Sequence, residues 1–168
     1  AGDCGEWAYS WKPVVSGYAP AQIEAWRGWL RKRYDDDINA LRQAWKMPTA
    51  EFVTAEPPPW TERLRTATWP PASHLIDPAE EAPLVDWLTF HGQCQAGALA
   101  ELAKATRKTL DALGRKKLIG AFHGYHMWPY DAAYGPCNTG FSDLEPVLTS
   151  PDLDVLCTPL AYRSEEHT

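Results

Sequence analysis

Apolar positions recur at three- and four-residue spacing in three stretches of the chain. Ile23, Trp26, Leu30 and Tyr34 form the first stripe, with Glu24, Arg27, Arg31 and Lys32 around it. This spacing predicts an amphipathic helix. Pro20 stands in its first turn, where a missing N–H costs nothing. Asp36 or Asp37 is placed to cap a second, short helix that buries Ile38, Leu41 and Trp45 and stops at Pro48. The third stripe runs Leu84, Leu88, His91, Gln95, Ala98, Leu102, Ala105, Thr109 and Leu113. It predicts a helix of about 30 residues, roughly 45 Å long, with Gly92 and Gly97 as candidate bends and Gly114 as its end. The period then changes. Leu118, Ile119, Ala121 and Phe122 give residues 117–126 the pattern of the most buried strand. A Gly/Pro-rich loop covers 128–140, a short helix 141–148 is capped by Ser142 and buries Leu144 and Leu148, and a second strand covers 153–157. Helix, strand, loop, helix, strand is the rhythm of an α/β protein with a parallel sheet.

In such sheets functional residues collect where strands end. Here those ends carry His123, Tyr125, His126, Trp128, Pro159 and Tyr162, an aromatic and polar rim suited to a sugar ring. Residues 1–12 have neither period and read as a strand end entering a loop. Residues 49–83 form a long Pro- and Trp-rich segment, either functional or wrapped over a surface. Arg63 and Arg65 within it read as solvated.

Composition narrows the classes. With 168 residues and 45% hydrophobic content, one domain with a core is expected. A net charge of -6 opposes nucleic-acid binding, which needs a basic face. Arg31, Lys32 and Arg33 are offset by Asp35, Asp36 and Asp37 and read as a solvated helix face. No apolar run is long enough to cross a membrane, and the first residues lack a signal-peptide pattern. The chain opens on Ala1 in what reads as a loop, so the start is expected to be incomplete. The 9 Trp fit either a core or flat sugar-binding faces. Cys4, Cys94, Cys137 and Cys157 lack metal-ligand spacing and read as free or core thiols.

Phosphate-binding glycine loops, nucleotide fingerprints and nucleophile elbows are absent from the sequence. His123 and His126 are three apart on a strand and face opposite ways, which disfavours a metal site. Glu6, between Gly5 and Trp7, is the best chemical candidate. A carboxyl group against an indole is desolvated, its pKa rises and it suits general-acid work. The residues alone leave open a merely solvated Glu6.

Gly17-Tyr18-Ala19-Pro20, Trp26-Arg27-Gly28-Trp29-Leu30, Arg33-Tyr34, Leu41 and Ala44-Trp45 resemble the run that follows barrel strand four in family 42-type β-galactosidases. Phe122-His123-Gly124-Tyr125 resembles the "FYGY" of strand five, with His123 in an aromatic's place. Ser150-Pro151-Asp152-Leu153-Asp154 and Thr158-Pro159-Leu160-Ala161-Tyr162 resemble the "SPDVD…SP-x-x-Y" of strand six. The resemblance implies a portion of a (β/α)8 TIM barrel, strand four to strand six. It implies a retaining glycosidase with two carboxylates about 5–5.5 Å apart. Glu6 maps to the acid/base. The nucleophile belongs to strand seven, and no residue here maps to it. Asn usually precedes the acid/base and binds the sugar 2-hydroxyl; Gly5 stands there, which bears on galactoside specificity.

Trp7, His123, Tyr125, Trp128 and Tyr162 become candidate sugar contacts, with core packing as the alternative for each. The implied partner is a carbohydrate substrate, with no cofactor, metal, nucleic acid or membrane, and with homo-oligomerisation of the whole protein. Residues 1–162 are then a partial catalytic domain, expected to be inactive and aggregation-prone alone because sheet edges stay unpaired. Residues 163–168 can be encoded by AGA TCG GAA GAG CAC ACG, the start of a common sequencing adapter, and are expected to be a non-native tail. The competing expectation is a non-catalytic carbohydrate- or partner-binding α/β domain that uses its Trp-rich loops.

Overall fold

The computed structural model describes residues 17–59, 62, 76–123 and 143–157. Helix α1 spans Pro20–Arg33, α2 Ile38–Trp45 and α3 Ala82–Ala112. Strand β1 covers Gly120–Phe122, a four-residue helix α4 Glu145–Leu148, and strand β2 Val155–Cys157. Pro20 lies in the first turn of α1 as expected. Asp35 and Asp36, both at positive φ (50° and 57°), link α1 to α2. Asp is among the few residues that adopt this conformation readily. Asp37 caps α2, its Oδ1 accepting from the Asn39 N–H at 2.8 Å. The helix stops at Trp45, with Lys46 left-handed behind it and the Met47 N–H donating to the Arg42 carbonyl at 3.1 Å.

The core is aromatic. Trp26 stacks on Trp29 and on Trp45 at 5.6 and 6.2 Å, and meets Trp87 edge-on at 5.3 Å and Phe90 at 5.4 Å. Leu30, Leu41, Leu84 and Leu88 complete it. Trp26, Trp45 and Trp87 are core residues, and the partly buried Trp29 packs against them. Part of the long 49–83 segment wraps the core: Ala50, Phe52, Ala55, Pro57 and Pro58 are buried. Two arginines clamp it in the same way. Arg27 donates to the Ala55 carbonyl and pairs with Glu56; Arg42 donates to the Ala50 carbonyl and pairs with Glu51. Tyr18 adds a bond from its hydroxyl to the Pro58 carbonyl at 2.8 Å. Arg63 and Arg65 lie outside the described residues.

Helix α3 has 31 residues, about 46 Å at 1.5 Å per residue. Its first half carries the predicted stripe into the core. Its second half departs from it: Leu102, Ala105, Thr109 and Leu113 are exposed, while Ala96 and Ala103 are buried. The inward face there is built from small residues, and the larger ones point away. Gly114, at φ 63°, ends the helix.

β1 and β2 pair in parallel, Gly120 opposite Val155, Ala121 opposite Leu156 and Phe122 opposite Cys157. The chain is therefore of mixed α/β type with a parallel strand pair. β1 is shorter and more open than its sequence suggests. Leu118 is 79% exposed and Phe122 is also exposed, while Ile119 and His123 are buried. A parallel strand is buried on both faces only when neighbours cover both, and among the described residues the sheet has two strands. α4 also differs. Phe141 and Ser142 lie outside the described residues, Leu144 takes the N-cap position without a side-chain bond, and Val147 is buried in place of Leu148. α4 packs on α3.

Asp154 sets the register of the strand pair. Its carboxylate accepts from the Ile119 N–H at 2.8 Å and from Arg107 of α3 at 2.6 Å. Its own N–H donates to the Ile119 carbonyl at 2.9 Å. Arg107 also reaches the carbonyls of Lys117 and Asp152, tying α3 to the amino ends of both strands.

Candidate functional site

At the carboxyl ends of the strands, the His123 N–H donates to the Cys157 carbonyl at 3.0 Å and extends the pairing one step past β1. His123 is 1% exposed, and the Cys157 thiol is free and exposed. His123 thus stands where a parallel sheet collects functional groups. Glu6, Trp7, Tyr125, His126, Trp128, Pro159 and Tyr162 lie outside the described residues, so His123 alone of the sequence candidates is placed. His91 is a core histidine as expected, stacked on Trp87 at 6.1 Å. Cys94 is a free, exposed thiol whose pKa is raised by partial burial.

The strongest polar constellation was not anticipated from sequence. Asp86, 2% exposed, accepts from Arg33 Nε at 2.6 Å, the Tyr34 hydroxyl at 2.6 Å and Trp45 Nε1 at 2.8 Å. It joins α1, α2 and α3 at one carboxylate. Arg33 also lies over the Trp29 ring, 5.3 Å from its centroid. Arg33 is therefore more than part of a solvated face, although Arg31 pairs with Asp36 at 3.3 Å as expected there. Burial, followed by the bond to Asp86, pushes the Tyr34 hydroxyl up to about 12. A buried carboxylate saturated by three donors holds a core together. The visible signal was one acid inside the apolar run Leu84-Val85-Asp86-Trp87-Leu88.

Two cavities bear on ligand binding. One, of about 430 Å³, lies under the Pro-rich segment against Trp45, Ala55, Pro57 and Pro58, with Glu51, Glu56 and Glu62 on its wall. Glu51 and Glu56 are the clamped carboxylates, so they are held in place. A second, of about 450 Å³, opens at the amino ends of the strands among Arg107, Asp111, Arg115, Lys116, Lys117 and Asp154. Among the described residues no group of three His, Cys, Asp or Glu is arranged to hold a metal, and no helix is long and apolar enough to cross a membrane. No family model, curated protein or solved structure matches the chain.

Proposed function

We propose that this chain is part of a retaining glycoside hydrolase of the family 42 β-galactosidase type, built on a (β/α)8 barrel. The observation that carries the reading is the parallel β1–β2 pair, registered by Asp154 of the Ser150–Asp154 run. That is the neighbour relation expected of barrel strands five and six. His123, at the carboxyl end of β1, stands where barrel enzymes place substrate contacts. Glu6 is the proposed acid/base, protonating the glycosidic oxygen and then activating water, with Trp7, Tyr125, Trp128 and Tyr162 around the sugar. The nucleophile is supplied by a later strand.

The test begins with the source DNA, sequenced across codons 155 to 168 and beyond. The expected frame departs after Tyr162 and reaches a strand ending in Glu. The longer protein should then hydrolyse an aryl β-glycoside with retention of configuration, and Glu6→Gln should lower its kcat by about 10²–10⁴-fold. A stop codon directly after Thr168, or full activity in the Glu6→Gln variant, refutes the assignment. The cavity beneath the Pro-rich segment, with an indole and three carboxylates on its wall, favours a second reading as a non-catalytic carbohydrate-binding domain. Saturable sugar binding that survives Glu6→Gln, with no hydrolysis by the longer protein, would select it.

A further inference from the structure

The segment 104–117 holds Lys104, Arg107, Lys108, Arg115, Lys116 and Lys117 against the single carboxylate Asp111, in a chain whose net charge is -6. The fold gathers four of these cations around the cavity of about 450 Å³ between the end of α3 and the start of β1. We propose that this cavity is a binding site for a compact polyanion, a small molecule carrying two or more phosphate groups. The proposal is independent of the glycosidase reading, because the cavity lies at the amino ends of the strands, away from His123.

Three observations carry it. First, the supporting frame is rigid. Gly114 at φ 63° reverses the chain, the Arg115 N–H donates to the Leu110 carbonyl at 2.9 Å, and Arg107 holds the Lys117 carbonyl at 3.1 Å. The three consecutive cations are therefore presented from a backbone fixed at both ends. Second, those cations are not consumed by the fold. The α3 carbonyls of Thr109, Leu110 and Asp111 are capped by the backbone N–H groups of Leu113, Arg115 and Gly114. Arg107 neutralises Asp154. Arg115, Lys116 and Lys117 are exposed and make no ion pair among the described residues. Third, the concavity is local and the rest of the chain is acidic. A long polyanion would be repelled beyond the patch, whereas a compact one stays among Arg107, Arg115, Lys116 and Lys117, which outnumber the wall carboxylates Asp111 and Asp154. Arg offers a planar fork to a phosphate and the lysines add point charges. With Asp111 and Asp154 also on the wall, the cations still outnumber the carboxylates, and attraction to a net positive site grows with the ligand's charge, which favours a multivalent anion.

The experiment is isothermal titration calorimetry of the full chain with sodium tripolyphosphate, repeated at rising salt. One saturable site is expected, weakening as salt screens it. Arg115→Gln/Lys116→Gln should weaken it by about tenfold or more, the equivalent of 1.4 kcal/mol. Lys32→Gln/Lys46→Gln, with the same change in net charge at exposed positions elsewhere, should leave it within about twofold. Vesicles of phosphatidylglycerol, compared with phosphatidylcholine, form a second arm. Equal losses in the two double variants, no saturable heat, or binding to anionic vesicles without binding to tripolyphosphate would overturn the proposal. If the Arg115/Lys116 variant loses the parent's thermal transition, Lys116→Glu is judged by the same criterion.

Discussion

Asp86 accepts from three neighbours, Arg33, Tyr34 and Trp45, at one buried carboxylate. Removing it leaves the Tyr34 hydroxyl and the Trp45 N–H facing a gap and frees Arg33 from its anchor. Asp86→Ala should therefore cost about 3 kcal/mol in urea denaturation. Asp86→Asn, which keeps an acceptor oxygen, should cost clearly less. A change below about 0.5 kcal/mol for the alanine variant would show the carboxylate to be incidental. Tyr34 carries a pH signature. Its hydroxyl titrates at about 12 in the folded chain, above the ordinary value of 10.0. The folded state thus keeps the proton longer, and this contribution is complete below pH 10 and lost as pH rises through about 12. Stability measured across that window should fall in the parent, and fall less steeply in Tyr34→Phe. An identical decline in both would assign the loss to other groups. Much of this was hidden in the sequence. Periodicity shows which positions face inward, but it treats Asp86 as a polar interruption and cannot say which helices bring donors to it.

At the level of elements, helices were easier to read than strands. α1 and α2 follow from local rules: a proline in the first turn, an aspartate cap and a single apolar face. The second half of α3 did not follow, because Ala96 and Ala103 become the buried face through what they pack against rather than through their own hydrophobicity. β1 depends on a partner 35 residues away, since Ile119 is paired with Asp154. The run Ser150–Asp154 was visible as a motif, and its physical role is to staple the strand start. Asp154→Ala should speed hydrogen exchange at the Ile119 amide, while α1 amides keep the parent's protection. The Ile119 N–H and Arg107 both hold the Asp154 carboxyl below its usual range. That contribution is present above the ordinary carboxylate value and lost as pH falls through the lowered one. Exchange at Ile119, after correction for intrinsic rates, should therefore rise on the acid side. Unchanged Ile119 protection in Asp154→Ala would remove the staple from the account.

Across the whole molecule, an aromatic core under three helices and a smaller parallel strand pair share one long helix, α3. The mixed α/β character and the parallel pairing were legible because helix and strand periods alternate along the chain. The extent of the sheet was not, since strand neighbours are set by distant segments. Of the six site candidates, His123 is placed, at the strand end where its position in sequence put it. Charge was legible only in part. The offset of Arg31, Lys32 and Arg33 by three aspartates was plain, but the reversal at Gly114 is needed to bring Arg107 and Lys117 to one cavity.

The packing of Trp26 against three other indoles at 5.3 to 6.2 Å has an optical consequence. Chromophores this close do not absorb independently; their excited states mix and divide into paired bands of opposite sign in circular dichroism. The folded core therefore carries its own spectroscopic label, which disappears when the rings separate and needs no dye or tag to be followed.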